Sequence, residues 1–210
     1  LRWIIALFST SILYSAVRYV VFAPKNLENL PVFVVNKGVS MAAALCFVAA
    51  FIQQFRRLRG QSVGVEPAAW FRAGVFGSIW HIPMALAVLR PAYFKEFFVP
   101  ALDGAAASGR MSFAGELVFC FGGLAAGAIY LLTRSQWTPM QRWLLSIGAV
   151  VMLQTHVLAM GYCRGLNINA SHAYLPPMWL ISAVGIFIGL VVLLCSRPKP
   201  GSPSQETGPG

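Results

Sequence analysis

Apolar residues run along the chain in six long blocks, 3–22, 32–54, 70–89, 112–132, 143–162 and 175–195, separated by short polar stretches. Each block is close to the ~20 apolar residues with which a helix crosses a hydrocarbon layer of about 30 Å. Lys, Arg and Trp side chains flank the blocks where a membrane boundary would place them. The pattern predicts an all-α integral membrane protein: a six-transmembrane-helix bundle over residues 1–196, facing lipid on its outside. Beyond it, 197–210 is rich in Pro, Gly and Ser and is predicted to be a disordered tail, because such a segment cannot bury enough apolar surface to fold. Arg2 ahead of an apolar run also fits a secretory signal. That run reaches Phe22 without a small-residue cleavage site, which favours a retained helix.

Composition agrees with the pattern. Of 210 residues, 58% are hydrophobic and 10% charged, against about 25% charged in a soluble domain. No segment has the strand, glycine-rich turn and helix of a dinucleotide-binding unit, so any nicotinamide or flavin domain would belong to another polypeptide. The net charge is +10, but the positive residues are spread over helix ends and form no single patch, so nucleic acid is not implied. Arg56, Arg57, Arg59 and Arg72 form the densest cluster and mark the cytoplasmic side, which six crossings then give to both termini. Arg2, Arg134, Arg142, Arg197 and Lys199 agree, whereas Arg18, Lys25, Lys37, Arg90, Lys95, Arg110 and Arg164 fall towards the other face. Cys46, Cys120, Cys163 and Cys195 are scattered without a CxxC pair, which supports packing and neither zinc nor dithiol chemistry.

The chain has three histidines. His81 and His156 lie in the third and fifth blocks, which run in the same direction, so their depths can be compared. His81 is nine residues before Arg90 and His156 eight before Arg164. At ~1.5 Å per residue both are about 12–14 Å below the charges of the outer side. Two imidazoles at one level on neighbouring helices can each give a nitrogen to one axial position of a haem iron, and ligation explains ionisable groups at that depth. The alternative is that each ring hydrogen-bonds a neighbouring helix, in a non-redox assembly or transport subunit. His172 falls in the outer loop "GLNINASHAYLPP", in reach of water, and is not counted as a ligand.

Three stretches carry a likeness to a known family. They are "NKGVSMAAALCFVAAFIQQFRRLRG", a helix followed by a basic loop; "FRAGVFGSIWHIPMALAVLRPAYFKEFF", with arginine and glycine before the histidine of helix three; and "WTPMQRWLLSIGAVVMLQTHV", with tryptophan and arginine before that of helix five. In this order they resemble the ferric reductase-like transmembrane family, which includes the membrane parts of metal reductases and NADPH oxidases and the haem-binding subunit of the bacterial methionine sulfoxide reductase system. The resemblance spans residues 32 to 165 and rests on pattern and spacing. It implies a bundle that holds haem b and relays single electrons across the membrane as part of a ferric, metal or other periplasmic reductase. It also implies a bacterial inner membrane location, a separate reductase or flavoprotein donor, an acceptor on the outer side, and FMN or FAD as a candidate cofactor at the cytoplasmic end. Two-haem members carry a second histidine about four turns from each ligand. Here those positions are Pro67, Lys95, Arg142 and Ala170, so one haem between His81 and His156 is expected.

A haem brings two propionates, which need cationic partners in a low-dielectric region. Arg18 and Arg90 are the preferred pair, with Arg110 and Arg164 on the same side. Gly74 and Gly77 leave a notch one turn from His81, open to a porphyrin edge or to another helix. Glu116 either handles protons or a cation or pairs with Arg110. The "RRLRG" loop either recognises a flavin phosphate or a partner's acidic face or is explained by topology and anionic lipid alone, and the tryptophans are explained by interfacial anchoring.

Overall fold

A computed structural model describes residues 1–22, 30–91, 94–100, 109–134, 136–162 and 175–197. Among them the chain is all-helical. Helix α1 (Arg2–Ala16) passes directly into a π-helical stretch (Val17–Val21). It is followed by α2 (Leu30–Leu58), α3 (Pro67–Ala87), a 3₁₀ turn (Lys95–Phe97), α4 (Phe113–Leu132), α5 (Pro139–Tyr162) and α6 (Met178–Leu194). With the π-helical stretch counted as part of α1, each of the six helices falls on one apolar block, with ends displaced by at most four residues. The displacement has a local cause where capping groups are present. Thr138 and Gln141 form a reciprocal capping box: the Thr138 amide donates to Gln141 Oε1 at 3.0 Å and the Gln141 amide to Thr138 Oγ1 at 3.3 Å. They start α5 ahead of its apolar run. Pro67 does the same for α3, and Ser112 caps α4 by accepting from the Gly115 amide. Gly60, at φ 69°, turns the chain away after α2 in the left-handed region that suits glycine.

Four segments are long and apolar enough to cross a membrane: Arg2–Val21, Pro31–Leu58, Phe113–Leu132 and Pro139–Tyr162. Met178–Leu194 is apolar but shorter. Helix α3 has the length, but Arg72, His81, Pro83 and two glycines dilute its apolarity. The six expected helices are therefore present, and four of them have the length and apolarity of a span. Large apolar side chains such as Phe76, Ile79, Phe187 and Ile188 point outwards, as lipid contact requires. The predicted tail lies almost wholly outside the described residues, as do Lys25, Cys163, Arg164 and His172.

Helix α2 is central, packed against α1, α3 and α6, while α5 joins α4 to α6. Close approach of α1 and α2 depends on Gly38, where a β-carbon would stand 2.6 Å from Ile12 Cα. Helices α3 and α4 barely touch, and α3 and α5 make no extended contact. This leaves an interior space that is filled differently in its two halves. In the half where α1 begins and α6 ends, Phe47, Ile129, Leu132 and Ala149 pack with Phe51 and Phe71, leaving a void of only about 10 Å³. In the distal half, where α1, α3 and α5 end, a larger cavity remains. The 3₁₀ turn closes that end, with Phe94, Phe97 and Phe98 packed on Val88 and Val118.

Candidate histidine site

The distal cavity encloses about 190 Å³ and is walled by the π-helical stretch of α1 together with α2, α3, α5 and α6. Both His81 and His156 line it. Each precedes the last described helical residue, Ala87 or Tyr162, by the same number of positions.

The two rings are held by different means. His81 Nδ1 lies 2.6 Å from Oδ1 of Asn36 on α2, and Asn36 is only 2% exposed. His156 Nδ1 lies 2.8 Å from the main-chain oxygen of Val118 on α4. A carbonyl oxygen can only accept, so each Nδ1 carries the proton and donates it. That fixes both tautomers with the Nε2 lone pair available. A ring nitrogen donating to a carbonyl while the other nitrogen is left for a metal is the usual arrangement of ligating histidines. Gly122 makes the second bond accessible. It lies one turn beyond Val118, and a β-carbon there would stand 2.9 Å from His156 Nδ1 and 3.1 Å from Cε1. The ring occupies the space that a side chain would fill.

Cations and thioethers complete the wall. Lys37 follows Asn36 on α2, lines the cavity and interacts electrostatically with both imidazoles. Its Nζ stands 4.9 Å from the ring centroid of Phe94 and 5.5 Å from that of Phe33. Arg18, 3% exposed, also lines the cavity. Its Nη1 donates to the Leu175 and Pro176 carbonyls, the latter at 3.0 Å, and Tyr14 Oη donates to Pro176 at 2.5 Å. Met41, Met160 and Met178 supply soft, adaptable surface. Among the described residues the lining contains no carboxylate, and no cluster of three or more His, Cys, Asp or Glu side chains occurs. The donor set is thus two imidazoles on opposite helices. It would offer a haem two imidazole ligands, and it lacks the three or more protein ligands of an isolated metal ion. A space of this size is below the ~300–1,000 Å³ of sites that enclose most of a small molecule. A macrocycle would therefore project an edge from it or displace flexible lining such as Met41 and Met160.

Other expected residues lie elsewhere. Arg90 is exposed just beyond α3 and outside the cavity wall; Lys37 stands in the place anticipated for it. Gly74 and Gly77 are also absent from the wall. A β-carbon on Gly74 would meet the Phe47 ring at 2.8 Å, and one on Gly77 would meet Ala43 at 2.9 Å and Phe8 at 3.0 Å, so their notch receives α2 and α1. Glu116 is exposed and forms no ion pair with Arg110; the pair among the described residues is Arg57 with Glu66, at 2.9 Å. Sequence reasoning missed Asn36, Lys37 and Gly122 as parts of the site. The signal for Asn36 was present in an amide side chain set inside an apolar block. Comparison of the sequence with protein-family models gives no match, and no curated protein is significantly similar to it. The likeness to the ferric reductase-like family accordingly rests on the residues themselves.

Proposed function

We propose that the chain is a membrane cytochrome b in which all six helices cross the bilayer and one haem is held between His81 and His156. The observation that carries this reading is the pair of imidazoles lining one cavity, each donating Nδ1–H to a carbonyl and each keeping Nε2 for a ligand bond. Asn36 and Val118 orient the rings, and Gly122 gives one of them room. Arg18 and Lys37 supply positive charge to the acidic arms of such a group. The packed Phe47, Phe51 and Phe71 side chains occupy the other half of the interior, which agrees with a single group. Held there by His81 and His156, a haem would supply one-electron transfer. Within this reading a separate reductase, flavoprotein or quinol donor feeds the cytoplasmic end, with FMN or FAD as a candidate carrier. The acceptor belongs to the outer side of a bacterial inner membrane.

A second reading draws on the same two hydrogen bonds. They tie α2 to α3 and α4 to α5, which is all that the histidines of a non-redox assembly or transport subunit would need to do. The reduced-minus-oxidised absorbance spectrum of purified protein separates the two. Sharp bis-histidine bands, abolished in both His81→Ala and His156→Ala, are expected; colourless protein would leave the second reading.

A further inference from the structure

We propose that Asn36 and Lys37, adjacent on α2, bias the site towards its reduced state. The inference rests on the reading of a haem between His81 and His156. The acceptor behind each imidazole is neutral: an amide oxygen at His81 and a main-chain carbonyl at His156. A carboxylate behind a ligating imidazole raises its basicity and thereby favours the more highly charged, oxidised metal. Asn36 fills that place without the negative charge. Lys37 adds a fixed positive one. Its ammonium group is seated against the rings of Phe33 and Phe94, where cation–π attraction holds it at the cavity wall, within electrostatic reach of both histidines. Taking up one electron lowers the charge of the occupant by one unit and needs no proton. Where water is excluded and salt screens weakly, a nearby cation stabilises the state with less positive charge. Arg18 contributes in the same sense but is tied to the Leu175 and Pro176 carbonyls. Lys37 is the cation next in sequence to the residue that orients a ligand.

Potentiometric titration of the purified full chain, following the absorbance bands with soluble mediators, tests this. The midpoint potential is expected to fall in Lys37→Gln and in Asn36→Asp and to stay near the parent value in Lys37→Arg, at high as well as low ionic strength. Unchanged potentials in Lys37→Gln and Asn36→Asp, with the bands intact, overturn the inference and leave the haem reading standing. Bands lost in Lys37→Gln and kept in Lys37→Arg also overturn it, since the cation would then retain the group without tuning it. Parent protein without bands removes the haem reading itself.

Discussion

Asn36 is a polar side chain almost wholly withdrawn from solvent, and a single short hydrogen bond to His81 accounts for its presence there. Replacing it by Leu removes the Oδ1 acceptor of the His81 Nδ1–H, a loss of about 1–3 kcal/mol. Removing the orienting partner of a metal ligand typically costs about 10–100-fold in affinity. Asn36→Leu is therefore expected to weaken haem binding by that factor, measured by titrating haem into stripped protein. Ser146→Ala should leave binding unchanged, because Ser146 lies outside the cavity wall and its hydroxyl bonds the Arg142 carbonyl on its own helix. At this scale the histidines were legible, since imidazoles stand out in apolar runs and counting along a helix gives height. The cations were legible only in part. Counting to Arg90 runs past the end of α3, where the chain leaves the helix axis, so height no longer predicts which way a side chain faces. Asn36 and Lys37 are near the start of a block and pass for ordinary boundary residues until the packing of α2 on α3 is seen.

Glycines show the same limit one level up. Gly74 and Gly77 precede His81 and invite a link to it, yet their face of α3 receives Phe47, Ala43 and Phe8. Gly122 is far from both histidines in sequence but lies against His156. Rotation of a helix about its axis is set by the neighbours it packs on, and α4 packs on α5. Gly122→Ala is expected to push the His156 ring from Val118 and to weaken the Nδ1–H signal in nitrogen-15 NMR of histidine-labelled protein. Gly123→Ala is the control, because nothing lies within 4 Å of the position its β-carbon would take. The existence and order of the six helices could be read from hydropathy alone. The π-helical stretch that carries Arg18 could not, because no composition distinguishes it from the α-helix it extends.

For the whole molecule, the proposal of six crossings requires the short connections after α2 and α4 to lie on one side of the membrane and the 3₁₀ segment on the other. Single cysteines introduced into a cysteine-free background at Gln61 and Gln136 are expected to react from the same side with a membrane-impermeant thiol reagent. One at Val99 should react from the opposite side. Reaction at Gln61 and Val99 from one side with Gln136 on the other would withdraw α3, the long helix that is not among the candidate spans. The expectation of such a side-to-side order rests on the spacing of apolar blocks. The interior did not: which half would be packed solid with phenylalanines and which left hollow depends on contacts between helices remote in sequence.

The clasp formed by Arg18 and Tyr14 on the Leu175–Pro176 backbone joins points 157 to 162 positions apart. Pro177, Met178 and Trp179, which follow directly, form part of the cavity wall. The Arg18 guanidinium therefore lacks these partners until the segment that leads into the last helix has been synthesised. Maturation of the pocket is accordingly a late event in biogenesis, and a nascent chain truncated before α6 would offer both histidines without the wall that encloses them.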